Sequence, residues 1–509
     1  MAVLGEIIKK TIEIADQILD SPDPVKSQEK ELRELLSKAE DTAFGKYYEF
    51  SKIKNSDDVR NAFAEVVPYH SYDQMRERWW QRVIDGAKDI TWPGKVNYFA
   101  VSSGTTSTRK LIPVTADMLL SIRRAGMQQL KGVADFDLPA EFFEKEILMF
   151  GSSTNLKKVN DHYEGEISGI SASQLPFWFE GYYRPGKEIA SIDNWDERVD
   201  ALAREAHKWD IGTISGIPSW IELMLKNVIK YHKLNNIHEL WPNFTVFTSG
   251  GVAFDPYKKS FQKICAKPIV VIDTYLASEG YLATQIRKDT DAMALITNNG
   301  IYFEFVPFLP ENIDEDGSIR QGAQALKIEE VEEGVDYVLV ISTSAGAWRY
   351  MIGDTVMFTN KARAEIKITG RTKHFLNVVG SQLSVIQMNR AMEVLNQQEK
   401  VDIKEFTVAA VLEDEEYKHQ WYLGVSDTDT GISDEILAEK LDAYLKENNK
   451  NYKVARSKAL KRVEVKTIPV GIFQKWAEET NQKGGQVKVP RVMKQEDFMD
   501  WEKYVRQKL

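Results

Sequence analysis

A single cysteine, Cys265, stands in a chain of 509 residues. With nothing to pair with, it excludes an internal disulfide framework and fits a reducing compartment. Its setting, the apolar and basic stretch 261–268, reads as packing rather than as nucleophilic catalysis. No run approaches the roughly 18–20 uncharged apolar residues that cross a bilayer. Residues 1–20 interleave Glu6, Lys9, Lys10, Glu13 and Asp16 with their apolar positions, so they read as an amphipathic helix and not as a secretory leader. Basic residues do not dominate: 66 Lys+Arg stand against 76 Asp+Glu, a net charge of −10, and the two signs are interspersed. That argues against the strongly basic face a nucleic acid requires. The seven histidines show no metal-ligand spacing, and neither a Gly-x-Gly-x-x-Gly nor a Gly-x-Ser-x-Gly run occurs. Residues 181–187 have the Gly-x-x-x-x-Gly-Lys spacing, but Glu188 stands where Ser or Thr should reach magnesium, and the match reads as chance. A soluble, cytoplasmic protein that engages neither membrane nor nucleic acid is the expectation.

What is present is ample apolar surface: 43% hydrophobic residues, with 12 Trp, 20 Tyr and 22 Phe. A chain this far beyond the roughly 250–300 residues of one core should divide into two or more domains. Stretches 29–43 and 71–86 carry apolar residues at helical spacing. Residues 96–101 read as a strand leading into a polar loop, and Thr115 is placed to cap a helix running towards Val133. Runs 147–150, 244–247 and 269–272 are too short and too β-branched or aromatic for helices. Their alternation with helical patterns is the α/β signature of sheets covered by helices. Strand patterns at 302–308, 337–342, 355–358 and 364–369 then cluster, implying an antiparallel sheet or small barrel that closes the large domain. At Gly370 the pattern restarts with strands 406–412, 420–425 and 463–468 and helices 434–447 and 473–480, a compact α+β unit. The expected domains are therefore 1–370, a large α/β unit, and 371–509, a small α+β unit.

Five segments could carry chemistry. Ser102, Ser103, Gly104, Thr105, Thr106, Ser107 and Thr108, followed by Arg109 and Lys110, supply hydroxyls, exposed N–H groups and cations suited to an oligophosphate. A plain Ser/Thr surface loop would share this composition. Its position between a strand and a capped helix favours anion binding. Ser249, Gly250 and Gly251 end a strand, either as a turn or as a backbone against which a flat ring can lie. Tyr275 to Glu279 follow a buried strand at the end where α/β sheets place ligands; Glu279 reads as a magnesium ligand or as a solvated loop acid. Arg349 to Asp354 fall between two strand patterns, where Asp354 could grip a ribose or simply serve a hairpin turn. Gly484 to Arg491 form a glycine pair leading to Lys488, a loop able to deliver one cation or an ordinary surface loop. Phe177, Trp178, Phe179, Tyr182, Tyr183 and Trp220 offer aromatic walls for an apolar acid, or core packing.

Taken in order, these segments resemble the auxin-responsive (Gretchen Hagen) acyl acid amido synthetases, a branch of the adenylate-forming enzymes. The likeness runs over nearly the whole chain. Ser102 to Thr105 with Arg109 to Pro113 are similar to the family's first nucleotide motif, Tyr275 to Glu279 to its second, and Arg349, Tyr350, Gly353 and Asp354 to its third. Leu240 to Asn243, Tyr302 to Pro307 and Gln486 to Arg491 match as well. Three departures stand out. The first motif is one residue short and lacks its second glycine, Met351 replaces an arginine, and Gly380 to Leu383 lack the usual acid or lysine.

The resemblance implies a large adenylate-forming domain with a β-barrel-like subdomain, followed by a small mobile lid domain. It implies ATP and Mg²⁺ as cofactors, and a carboxylic acid and an amine as partners. By the same resemblance Ser102, Ser103, Gly104, Thr105 and Lys110 cradle phosphates, while Ser249 and Gly250 line an adenine pocket. Tyr275 and Ser278 contact adenine and the α-phosphate, Glu279 holds the metal, Asp354 holds the ribose, Arg371 sits at the hinge, and Lys488 neutralises charge during adenylation. Two other readings predict different behaviour: an acyl-CoA ligase would need a thiol to form AMP, and a non-catalytic nucleotide-binding relic would activate no acid.

Overall fold

The computed structural model describes residues 23–509 apart from 103–109, 133–135, 137, 177–178, 252–253, 255–256, 310, 315–316, 373–382, 384, 414–415, 428–430, 450–451, 454–455, 458–459, 481–488 and 494. The expected helix at 1–20 lies outside the described residues. Asp23 caps the helix Pro24–Ala39 by accepting the Val25 N–H at 2.9 Å. Leu32, Leu35, Leu36 and Ala39 form its buried stripe, the spacing of one helical face. From the same helix Gln28 reaches a strand edge, donating to the Thr297 and Ile301 carbonyls and accepting the Phe303 N–H. The helical pattern at 71–86 becomes one run, Tyr72–Met75, Arg76–Trp80 and Gln81–Ile84, whose middle is π-helical. It buries Trp79 and Trp80.

Strands β1 (Tyr98–Ser102), β2 (Lys110–Val114), β4 (Lys157–Val159) and β5 (His162–Gly165) make a four-stranded sheet in the order β2-β1-β5-β4. Thr115 caps the helix Ala116–Gly132, its Oγ1 accepting the Met118 N–H. An eleven-stranded sheet dominates the molecule. Its parallel half comprises β3 (Glu146–Phe150), β6 (Tyr183–Arg184), β7 (Ile211–Gly216), β8 (Val246–Gly250) and β9 (Val270–Ala277). Its antiparallel half comprises β10 (Gly280–Thr284), β11 (Met293–Leu295), β12 (Ile301–Pro307), β13 (Asp336–Thr343), β14 (Ala347–Asn360) and β15 (Glu365–Arg371). The order is β12-β13-β14-β15-β11-β10-β9-β8-β7-β3-β6. The antiparallel strands expected near the end of the large unit thus form, and they extend the large sheet.

Two expectations fail locally. The stretch Arg349 to Asp354 is no hairpin turn but lies within the fourteen-residue strand β14, and the preceding turn falls at 344–346. Between residues 103–109 and the helix capped by Thr115 lies strand β2, antiparallel to β1, a strand the sequence pattern did not show. Beyond β15, strands β16 (Ile403–Glu413), β17 (Glu416–Val425) and β18 (Leu460–Pro469) form a separate three-stranded sheet. Helices Val385–Glu399 and Asp434–Asn448 cover one face through Leu395, Leu437 and Leu441. Helices Gly471–Thr480 and Gln495–Lys508 cover the other through Phe473, Phe498 and Trp501.

Candidate active site

The large sheet changes from parallel to antiparallel between β9 and β10. Ala277 pairs with Gly280, leaving Ser278 and Glu279 as a two-residue turn at the carboxyl end of β9. The carboxyl ends of parallel strands are where α/β sheets place their ligands. A cavity of about 3250 Å³ opens there. It runs past the carboxyl ends of the parallel strands, at Phe150, Gly216, Gly250 and Ala277, and reaches Val385 and Arg491 of the small unit.

Into this space the sheet register brings residues far apart in sequence. Ser102, Lys110, Gly250, Tyr275, Ser278, Glu279, Asp354 and Arg371 all line it. Ser102 and Lys110 face each other as the last register pair of the β1–β2 hairpin, next to residues 103–109. The Lys110 ammonium lies 5.2 Å from the centre of the Tyr72 ring, and the Tyr72 hydroxyl accepts the Leu111 N–H. Asp354 on β14 pairs in register with Arg371 on β15, whose Nε donates to Asp354 Oδ1 at 2.6 Å. The Tyr275 hydroxyl donates to the other carboxylate oxygen. Four residues before Asp354 on the same strand, the Tyr350 hydroxyl hydrogen-bonds to Glu279.

The electrostatics follow from this crowding. Burial, with Asp354 nearby, pushes the Glu279 carboxyl up from 4.5 to about 7, against the pull of Arg371 and Lys110. Asp354 beside it holds the Arg371 guanidinium protonated beyond its ordinary range. A buried carboxyl with a raised pKa is one that an added cation would stabilise in its charged form. Among the described residues no group of three or more His, Cys, Asp and Glu side chains could hold a metal. A lone carboxylate is the donor set of a hard ion that keeps waters and shares substrate phosphate oxygens, as Mg²⁺ does; Glu279 fits that pattern.

Other expected residues are placed differently. Ser249 is fully buried, and its hydroxyl has no partner among the described residues; strand alternation turns it away from the cavity that Gly250 lines. Gly250 has little room for a side chain, since a Cβ there would lie 3.0 Å from Thr274 Oγ1, and Gly251 has φ +79°. Ser103, Gly104, Thr105 and Lys488 lie outside the described residues. Phe179, Tyr183 and Trp220 line the cavity, Tyr182 is exposed, and Phe177 and Trp178 lie outside the described residues. Arg349, from the third motif, does not line the cavity. Its Nε donates to the buried Glu304 at 3.0 Å, and its Nη1 donates to the Ala64 and Val67 carbonyls. Met351, in place of an arginine, accepts the Ile319 N–H on its sulfur. Burial pushes the Cys265 thiol up to about 11, which agrees with packing. Tyr72 and Tyr350 escaped the sequence reading of the site; Tyr350 stood inside the third motif, but its contact with Glu279 depends on strand register.

A sheet with this switch, a large unit and a small sheet-and-helix unit make the fold of the adenylate-forming ligases. The structure superposes on a 2-hydroxyisobutyryl-CoA ligase in its postadenylation state with a TM-score of 0.57, at 13% identity, covering 95% of this chain and 92% of that one. It superposes on the GH3.15 acyl acid amido synthetase with a TM-score of 0.74, at 16% identity, covering 98% and 96%. Sequence profiles of the GH3 family match its N-terminal domain at residues 18–160, its central domain at 294–371 and its C-terminal domain at 386–497. Together they cover more than half of the chain, which therefore belongs to the GH3 family. Among relatives, the indole-3-acetic acid-amido synthetase GH3.4 of Arabidopsis thaliana is 22% identical over 95% of this chain and 91% of its own. The indole-3-acetic acid-amido synthetase GH3.8 of Oryza sativa subsp. indica is 24% identical over 76% and 72%. No helix among the described residues is long and apolar enough to cross a membrane.

Proposed function

We propose that this protein is an ATP-dependent acyl acid amido synthetase that joins a carboxylic acid to an amine, in our reading an amino acid. The observation that carries this is the convergence of Lys110, Glu279, Asp354 and Arg371 on one cavity at the sheet's switch point, in a chain of a family whose named relatives are amido synthetases. In the first half-reaction a carboxylate oxygen of the acid attacks the α-phosphorus of ATP. The bond to pyrophosphate breaks, and an acyl-adenylate forms. In the second the amine nitrogen attacks the acyl carbon, the bond to AMP breaks, and the nitrogen loses a proton.

Each residue has a part in this reading. Ser102, Ser103, Gly104 and Thr105 cradle the departing phosphates through hydroxyl and backbone donors, and Lys110 balances their charge. Gly250, bare of a side chain and held in place by the buried Ser249, lets adenine lie flat. Tyr275 braces Asp354, which accepts the ribose hydroxyls, while Ser278 donates to the α-phosphate. Arg371 marks the hinge between domains 1–370 and 371–509, and Lys488 approaches from the small domain during adenylation. Glu279 is the residue that would hold Mg²⁺, which when bound would supply positive charge to the phosphate oxygens. The Tyr350 hydroxyl keeps that carboxylate aimed at the cavity. A lone cysteine and the absence of a spanning helix among the described residues support a cytoplasmic site of action.

A panel of carboxylic acids screened for acid-dependent pyrophosphate release tests this. We expect one or more acids to drive release, Glu279→Ala and Lys488→Ala each to lower it by about 10²–10³-fold, and an added amino acid to yield amide and AMP. Release by no acid would overturn the assignment, and full activity in both variants would overturn the residue roles.

A further inference from the structure

Arg198 is a cation taken out of water with no ion pair among the described residues. It lies in the first turn of the helix Trp195–Glu205, is only 4% exposed, and lines the cavity. Its Nε and Nη1 have no hydrogen-bond partner among the described residues. What surrounds it is mostly aromatic, with the Phe150 ring centre 5.3 Å and the Trp195 ring centre 5.5 Å from its guanidinium carbon. Trp195 in turn packs on Trp220 at 4.9 Å. Asp193 and Glu166 act on it through their charge but make no hydrogen bond to it: Asp193 accepts from Ser153 and Asn155, and Glu166 accepts from Ser152. Cation–π contact offsets part of the cost of burying a guanidinium, but a buried charge is costly unless paired.

Position sharpens the point. Phe150 ends β3, three strands from β9 in the sheet order. At about 4.8 Å per strand this puts Phe150, the ring Arg198 packs on, roughly 14 Å from the strand that leads into the Glu279 turn. The phosphate-bearing end of the cavity therefore does not supply its partner. A planar fork of donors at the aromatic end suits a carboxylate.

We propose that Arg198 is a specificity-determining residue that binds a carboxylate carried by an organic substrate at the aromatic end of the cavity. The carboxylate comes from one of two sources: a second carboxylate at the far end of the acid being activated, or the α-carboxylate of the amino acid acceptor. The inference rests on the amido synthetase reading for the identity of these substrates, while binding itself can be measured without turnover.

The test is equilibrium binding to the full chain, followed by isothermal titration calorimetry, with two matched probe pairs. One pair is 4-carboxyphenylacetate against phenylacetate, the other phenylalanine against phenylalaninamide. We expect one carboxylate-bearing probe to bind at least about tenfold tighter than its partner. The preference should vanish in Arg198→Met and survive in part in Arg198→Lys. Preference within the first pair assigns the site to the acid, and preference within the second assigns it to the acceptor. Because Arg198→Met removes an unpaired buried charge, its melting temperature should equal or exceed that of the wild type. Equal binding within both pairs, a preference that persists in Arg198→Met, or a marked drop in that variant's melting temperature would overturn the proposal. Failure of the amido synthetase reading shows separately, as wild-type protein that releases no pyrophosphate with any acid.

Discussion

Asp354 illustrates how much a single residue owes to its neighbours. Alone in sequence, a Gly-Asp pair is ordinary turn chemistry. In the structure its carboxylate takes a hydrogen bond from Arg371 on one oxygen and from Tyr275 on the other, so its orientation is fixed from both sides. Asp354→Asn keeps the shape and weakens both bonds; we expect kcat/KM for ATP to fall by about 10²-fold in acid-dependent pyrophosphate exchange, with a smaller effect on melting temperature. Glu31 offers a test away from the site. Burial raises its carboxyl from 4.5 to about 7, so the folded state holds the proton more tightly than the unfolded chain. Its contribution is favourable below about pH 4.5 and is lost as pH rises through 7, at most about 3 kcal/mol. Glu31→Gln should therefore be the more stable protein at pH 8 by about 1–3 kcal/mol, and the gap should close towards pH 5. Chemical denaturation at the two pH values reads this directly, and an equal gap at both would refute it.

At the scale of elements, β14 is where sequence and structure part most instructively. Its fourteen residues carry polar and glycine positions that read as a break, and the backbone does bend at Arg349 and Gly353, which have positive φ, yet the strand continues because β13 pairs along one edge and β15 along the other from Asp354 onward. A strand with a ladder on each edge tolerates residues that propensity alone disfavours. Arg349, with φ +40°, ties that strand to Glu304 on β12 and to the N-terminal helices through the Ala64 and Val67 carbonyls. Removing one partner of a buried pair strands the other, so Arg349→Ala should cost about 3–5 kcal/mol of stability. The double variant Arg349→Met with Glu304→Leu should recover most of it. The β1–β2 hairpin teaches the complementary point. The short strand β2 (Lys110–Val114) was not legible, because five residues between a polar stretch and a helix cap carry too weak a pattern to read as a strand.

For the whole molecule, the cores divide the chain. Both faces of the β16–β18 sheet are covered by its own helices, with Trp421 fully buried on one face and Trp501 on the other. The aromatic cluster of Phe44, Phe50, Phe63 and Trp348 belongs to the large unit. Two independent cores predict two calorimetric transitions. Trp421→Ala, which empties a large volume in the small unit at about 3–5 kcal/mol, should lower one transition and leave the other within about 2 °C. A single transition shifted as a whole would show that the two units unfold together. ATP with an activatable acid, which touches both units in our reading, should raise the transition of the large unit most.

Local features were readable from residue order: the cap at Thr115, the strand and helix periods of the small unit, and the charged residues Lys110, Glu279, Asp354 and Arg371 that line the cavity. These depend on neighbours a few positions away, which a sequence displays. The pairing of Asp354 with Arg371, the contact of Tyr350 with Glu279, the inward turn of Ser249 and the isolation of Arg198 were decided only in three dimensions. Each depends on which strand lies beside which and on which face a side chain takes, and a shift of one residue in register would reverse it.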